Sequence, residues 1–460
     1  EAIMMNLSQS AELSPAARRA AMLRSGPVLP TLLKLALPNL VALGSAAVVS
    51  IAETAYVGKI GVAALGGIAL AFPVFMLMQM LSAGAMGGTI SGAISRAIGA
   101  ENRERAHALA LCSVAIALAF GLTLAIVVRV WGQDLFALLG GSGPVLDQAL
   151  AFANTAAWGI PGIWLANTLA SVLRGSGNMA VPANILLGSG IGQVLVGGAF
   201  GLGLGPCPAL GIAGVAMGQV VAFWIAACIL LVYLRSGRVA IGLRLDAGAL
   251  RAEHFSALLR VGAIAMLSPL LSVASVLLLT RMVARFGPDV LAGYGIGVRL
   301  EFLLIPIAFS VGVAAVPMVG TAIGAKDIER ARRVAWTSGG LAFASVGSIG
   351  LLALSYPGLW VDLFTHVRPV RAAAYAYLSV AGYGYGLFGM GLCLYFASQG
   401  AGRVGGVITA QALRTAIILG GGALLLNKSG SANSIFLLST GAMVAMGIGT
   451  ALVVKMSKWR

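Results

Sequence analysis

Residues 97–100 read Ala97-Ile98-Gly99-Ala100, and residues 322–325 read Ala322-Ile323-Gly324-Ala325. The offset is 225 residues, close to half of a 460-residue chain. Each copy follows a long apolar run and leads into a charged stretch, 101–107 and 326–332. Gly175-Ser176-Gly177 recurs as Gly400-Ala401-Gly402 at the same offset, and Gly61 and Leu65 recur as Gly287 and Leu291 at 226. The chain reads as two similar halves.

The runs between these landmarks are long enough to cross a bilayer, which takes about 20 apolar residues. Six lie near 31–57, 64–95, 105–130, 145–173, 181–204 and 210–235, and six near 256–284, 289–320, 331–356, 370–399, 404–426 and 433–455. The chain is 59% hydrophobic and only 10% charged, against about 25% charged in soluble domains. The expected fold is an all-α integral membrane protein, with twelve transmembrane helices in two pseudo-symmetric six-helix lobes. Residues 1–29, which do not read as a signal peptide, form a cytoplasmic N-terminal tail. The N-lobe covers 30–236 (helices 1–6), a basic cytoplasmic inter-lobe linker 237–255, and the C-lobe 256–460 (helices 7–12). Six helices per half start both halves on the same face, so the repeats are parallel. Such repeats place a substrate route at their interface.

The net charge of +16 fits this topology. With the N-terminus inside, 21 of the 30 Lys and Arg fall in inside segments. Seven fall outside, and Arg299 and Arg414 lie within helices. That bias predicts both termini on the cytoplasmic side of the cell (inner) membrane. The charges form no stripe and accompany no nucleic-acid motif, so no nucleic-acid partner is expected. Cys112, Cys207, Cys228 and Cys393 are scattered without metal-ligand spacing, and no cofactor is expected. No nucleotide-binding P-loop occurs, which leaves an ion gradient as the energy source. One charge crossing 100 mV supplies about 2.3 kcal/mol.

Polar groups at membrane depth are expensive and mark candidate sites. Of 14 acidic residues, only Glu53 in helix 1 and Glu301 in helix 8 lie deep within apolar runs. Glu53 is the candidate ion-coupling residue, because a carboxyl can take up and release a proton. The alternative is a helix-end carboxyl reaching the interface. Glu301 and Arg299 are candidates for a substrate cleft or for structural ion pairs. Their spacing of two sends them to different partners. Met76 and Gln79 in helix 2 join the cleft candidates, since methionine adapts to varied apolar ligands. Asn167, Gln193 and Gln219 form the candidate polar site of the N-lobe, with interhelical bonding as the simpler role. Pro38 interrupts helix 1 about 22 Å from Glu53 at 1.5 Å per residue, where it makes either a hinge or a static kink.

Several motifs resemble the multidrug and toxic compound extrusion (MATE) family. They are Leu37-Pro38, Glu53-Thr54-Ala55-Tyr56-Val57-Gly58-Lys59-Ile60-Gly61, Ala64-Leu65-Gly66, Gly99-Ala100-Glu101-Asn102, Leu173-Arg174-Gly175-Ser176-Gly177-Asn178 and Gly211-Ile212-Ala213-Gly214-Val215-Ala216. Gly295-Ile296-Gly297-Val298-Arg299-Leu300-Glu301 is similar to the DinF-type branch. The resemblance implies a V-shaped pair of lobes and export of small organic, often cationic or amphipathic compounds, driven by H+ or Na+. It implies ion coupling at Glu53, where the family usually has Asp, and a bend at Pro38. It also brings departures. Gly197 stands where a helix 5 Asp is expected, Gln193 for Asn, Gln219 for Thr and Phe152 for Tyr, while Asn167 matches. One carboxyl without further oxygen ligands favours H+ over Na+.

The expected function is an ion-coupled, proton-driven antiporter working by alternating access as a monomer in the lipid bilayer. The alternative is a flippase for a lipid-linked sugar or other lipid-like substrate. A major-facilitator transporter would need a basic motif after helix 2 that residues 96–107 lack. An intramembrane enzyme would need paired acids or clustered histidines, and His107, His254 and His366 fall in or near loops. The chain is therefore not expected to be an enzyme.

Overall fold

The computed structural model describes residues 15–237, 239, 241–243, 246–427 and 430–459. Residues 1–14 of the tail, and Arg238, Arg244, Lys428 and Arg460 of the charge tally, lie outside the described residues. Among the described residues, twelve helices are long and apolar enough to cross a membrane. They are α1 (Val28–Ile60), α2 (Val62–Gly99), α3 (Arg103–Leu138), α4 (Gly143–Gly175), α5 (Ala180–Leu202) and α6 (Ile212–Arg235), then α7 (Ala252–Ala284), α8 (Pro288–Gly324), α9 (Ile328–Ser355), α10 (Arg368–Ala401), α11 (Gly405–Asn427) and α12 (Ala432–Met456). Helices satisfy every backbone group internally, which hydrocarbon requires. The tail also carries a short helix, Pro15–Ser25. α2 contains a π-helical segment, Met80–Met86, and α4 a 3₁₀ turn, Ala157–Gly159.

The chain divides into two compact units: Glu1–Ser25 with Leu37–Arg260, and Gly26–Ala36 with Val261–Arg460. The division therefore cuts α1 just before Pro38, so its first turns group with unit 2. The described residues of the linker expected at 237–255 group with unit 1 and lie against α3. His107 Nδ1 lies 2.6 Å from the Gly242 carbonyl. Arg105, His107, Arg251 and His254 line a cavity of about 570 Å³ there.

Helix packing repeats with a shift of six. In unit 1, α4 packs on α2, α3 and α6, and α5 packs on α6. In unit 2, α10 packs on α8, α9 and α12, and α11 packs on α12. The turns repeat bond for bond. Ala100, Glu101 and Asn102 donate to Arg96, Ile98 and Ala97, while Ala325, Lys326 and Asp327 donate to Thr321, Ile323 and Ala322. Asn102 caps α3 by accepting from the Arg105 amide, and Asp327 caps α9 by accepting from that of Arg330. Such caps satisfy donors the first turn leaves open. Gly177 and Gly402 both take left-handed backbone, at φ 79° and 74°, which lets each helix end in a tight reversal.

Long apolar side chains stay exposed on the outer helix faces, among them Leu37, Val48 and Ile51 of α1 and Leu195 of α5. In a helix bundle of this composition those faces meet lipid. Small residues bring the inner faces together. A Cβ on Gly175 would lie 2.8 Å from the Ser91 carbonyl, and one on Gly87 2.7 Å from Ser171 Oγ. Gly84, Gly88 and Gly92, four apart on α2, are all buried.

Candidate functional site

Glu53 sits on α1, half-buried. The Gln193 side chain of α5 donates from Nε2 to Glu53 Oε1 at 2.6 Å. Tyr56, one turn along the same face, is buried, and its hydroxyl has no hydrogen-bond partner among the described residues. That ring explains Gly197. A Cβ there would lie 3.0 Å from the Tyr56 hydroxyl and 3.1 Å from the Val215 carbonyl. A Cβ on Gly218 would lie 2.5 Å from the Gly197 amide nitrogen, so α5 and α6 meet at the backbone. A side chain at 197 is therefore tight: the Tyr56 hydroxyl or the Val215 backbone would have to give by a few tenths of an ångström. Gln219, also on α6, is half-buried and makes no hydrogen bond to a described residue.

Asn167 of α4 belongs to a different group. Its Nδ2 donates to Gln79 Oε1 at 3.1 Å and to Ser82 Oγ at 2.8 Å. Both partners lie at the π-helical segment of α2, where the widened turn re-aims side chains. The N-lobe candidates therefore split: Gln193 bonds Glu53, Asn167 bonds Gln79, and Gln219 joins neither by hydrogen bond. Met76 is half-buried on the turn before Gln79. Phe152, the counterpart of the family tyrosine, is buried edge-on to Phe75 at 5.5 Å. α1 continues through Pro38, and the neighbouring Asn39 Nδ2 lies 3.4 Å from Met179 Sδ.

Unit 2 carries its own polar centre. Tyr377 of α10 donates a short hydrogen bond to Glu301 Oε1 of α8, and the Tyr385 hydroxyl lies 3.5 Å from the same oxygen. The Tyr294 and Tyr377 rings meet edge-to-face at 5.0 Å, with Phe436 against Tyr377 at 5.2 Å. Arg414 of α11 is buried as well. Its guanidinium carbon lies 5.2 Å over the Phe388 ring. Glycine makes the close approach of α8 to α10 feasible, since a Cβ on Gly297 would overlap Tyr377 Cδ1. Arg299 turns the other way, exposed, 5.5 Å over Phe364. Of the four cleft candidates, Met76 and Gln79 belong to unit 1 and Glu301 and Arg299 to unit 2.

Sequence reasoning missed Ser82, Tyr377 and Tyr385 as hydrogen-bond partners and the buried Tyr56 beside Gly197, and placed Arg414 only within a helix. The only signal for them was polarity inside apolar runs. No group of three or more metal-ligating side chains occurs among the described residues.

Known proteins share both sequence and architecture with this chain. The probable multidrug resistance protein YoeA of Bacillus subtilis (strain 168) is 25% identical over 350 residues, 75% of each chain. The probable multidrug resistance protein NorM of Thermotoga maritima is 25% identical over 335 residues, 73% of this chain and 72% of that one. A solved transporter of the MOP superfamily from Pyrococcus furiosus Vc1, whose binding pocket is described as of reverse polarity, superposes with a TM-score of 0.88. It is 20% identical, covers 97% of this chain and 98% of its own, and establishes the shared fold. These likenesses do not favour a lipid-linked sugar flippase, and they describe a transporter rather than an enzyme. A family model described as MatE matches residues 38–197 and 265–421, the body of both halves, and the chain belongs to that family of multidrug efflux transporters.

Proposed function

We propose that the chain is a proton-coupled antiporter that exports small organic, cationic or amphipathic compounds by alternating access. The carrying observation is that Glu53 is hydrogen-bonded to Gln193 and, among the described residues, to no other side chain. Sodium binds through several hard oxygens, as other hard cations do. A proton needs one carboxyl. The amide partner suits both protonation states. As drawn, Gln193 donates to a carboxylate. A half-turn of the amide presents its oxygen to a neutral acid. Protonation of Glu53 would then re-form the α1–α5 contact rather than break it. It would also remove a charge from membrane depth, where charges are costly. Pro38, lacking an amide hydrogen, provides a point where α1 can bend. The positive-inside bias supports an orientation in the cell (inner) membrane with both termini cytoplasmic.

Ethidium efflux from proteoliposomes, with pH and Na+ gradients imposed separately, tests this reading. Wild type is expected to respond to the pH gradient, and Glu53→Gln to lose that response. Full pH-driven transport in Glu53→Gln would sink the assignment. Transport that requires Na+ would replace the coupling ion.

A further inference from the structure

We infer that the cavity lined by the first turns of α3 and α7 binds the phosphate group of a small molecule, and that protonation of His107 and His254 switches this binding on. The site lies outside the polar centres of the export reading and goes beyond that reading.

The cavity measures about 570 Å³, a size suited to a small molecule. Its charged lining is Glu104, Arg105 and His107 from α3, Asp246 and Arg251 from the linker, and Glu253 and His254 from α7. All seven belong to unit 1. Arginine matches phosphate in geometry as well as charge, and both arginines keep donors open. The Arg105 guanidinium makes no hydrogen bond or ion pair with a described residue. Arg251 commits its Nε to the Gly248 carbonyl at 3.2 Å, and one terminal nitrogen lies 3.9 Å from Glu253. The carboxylates have local duties. Asp246 accepts from the Gly248 amide at 2.9 Å. Glu104 and Glu253 stand in the first turns of their helices, where negative charge meets the helix dipole. The cluster is not arranged as a metal site among the described residues.

The second repeat uses the same positions for its own structure. Residues 104, 105 and 107 correspond, at the offset of 225, to Glu329, Arg330 and Arg332. There Glu329 pairs with Arg333 at 2.6 Å, Arg330 donates to the Gly26 carbonyl, and Arg332 donates to that of Ser457. In unit 1 only the third of these positions is held, by the bond of His107 Nδ1 to the Gly242 carbonyl.

That bond defines the switch. A carbonyl only accepts, so Nδ1 carries the hydrogen and Nε2 is an acceptor in the neutral ring. Protonation makes Nε2 a donor. His254, its side chain 13% exposed, stands 3.7 Å from Glu253, beyond hydrogen-bond length. Three carboxylates outnumber two arginines by one, and protonating both rings reverses the sign. Histidine is the side chain that changes charge near neutral pH, so anion binding strengthens as pH falls. On the proposed topology the cavity faces the cytoplasm.

The test is isothermal titration calorimetry on the full chain in nanodiscs of zwitterionic lipid. Sulfate is the first probe, because its two charges stay fixed and any pH dependence belongs to the protein. Wild type is expected to bind sulfate about tenfold more tightly at about pH 6 than at about pH 8, with inorganic phosphate competing. Arg105 is exposed, so Arg105→Gln keeps the fold, and it is expected to weaken binding about tenfold. His107→Gln combined with His254→Gln is expected to bind equally at both pH values. His254→Gln alone, which keeps the linker bond, is expected to lose part of the pH dependence. Arg330→Gln, the matching change in the second repeat, is expected to leave binding unchanged. Nanodiscs containing phosphatidylglycerol separate the sources of the phosphate: sulfate excluded there identifies a lipid headgroup, and sulfate still bound identifies a soluble compound. No sulfate binding by wild type in zwitterionic nanodiscs overturns the inference. So does equal wild-type binding at both pH values, unchanged binding by Arg105→Gln, or equal losses in Arg105→Gln and Arg330→Gln.

Discussion

Tyr56 and Gly197 form the residue-scale lesson of the N-terminal unit. The tyrosine hydroxyl is buried without a partner, a state that costs about 1–3 kcal/mol. Tyr56→Phe should therefore fold at least as stably as wild type, measured by thermal unfolding in detergent. Gly197→Asp, which restores the residue usual in the family, should destabilise by about 1–3 kcal/mol, as overpacked sites do. Its Cβ would press on the Tyr56 hydroxyl at 3.0 Å and on the Val215 carbonyl at 3.1 Å. Combining the two substitutions should recover part of the loss. A double variant no better than the sum of its parts would show that the two residues do not compete for this space. The depth of Glu53 in helix 1 was legible in the sequence. The reason for the missing Asp was not, since it lies in a ring packed from another helix.

The contact between α8 and α10 belongs to the scale of the element. Gly295 and Gly297 stand two apart on α8, yet their surroundings differ. A Cβ on Gly295 meets nothing within 4 Å, whereas one on Gly297 overlaps the Tyr377 ring. Gly295→Ala should be neutral or stabilising by up to about 1 kcal/mol, the gain in helix propensity. Gly297→Ala should lose about 1–3 kcal/mol and shift the tyrosine that donates to Glu301. Equal unfolding temperatures for the two variants would refute the packing described. The elements themselves were legible, because lipid leaves such a chain little choice but apolar helices. The π-helical segment at Met80–Met86 was not legible, since its residues fit an ordinary helix equally well. Asn167, singled out for its depth, reaches Gln79 and Ser82 across 88 and 85 residues. Periodicity within one helix cannot report such pairs.

At the scale of the whole molecule, one backbone plan serves two different polar centres. Helix order, packing partners and turns repeat, and the 225-residue offset announced that repetition. Unit 1 holds a carboxyl with an amide; unit 2 holds a carboxyl with tyrosines. The repetition extends to strain. Glu101 and Lys326, 225 apart, are the two non-glycine residues with left-handed backbone among the described residues, at φ 59° and 61°. That conformation costs an L-residue roughly 1–2 kcal/mol, and glycine adopts it freely. Lys326→Gly should therefore raise stability by about 1 kcal/mol. Glu101→Gly relieves the same strain but loses the Arg24 ion pair at 2.5 Å. Exposed pairs contribute about 0.2–1 kcal/mol, so its net gain should be smaller. Raising the salt concentration screens that pair, and the two variants should converge. If Lys326→Gly instead destabilises, the lysine makes a contact in its turn that outweighs the strain. The two turns would then share geometry without sharing energetics.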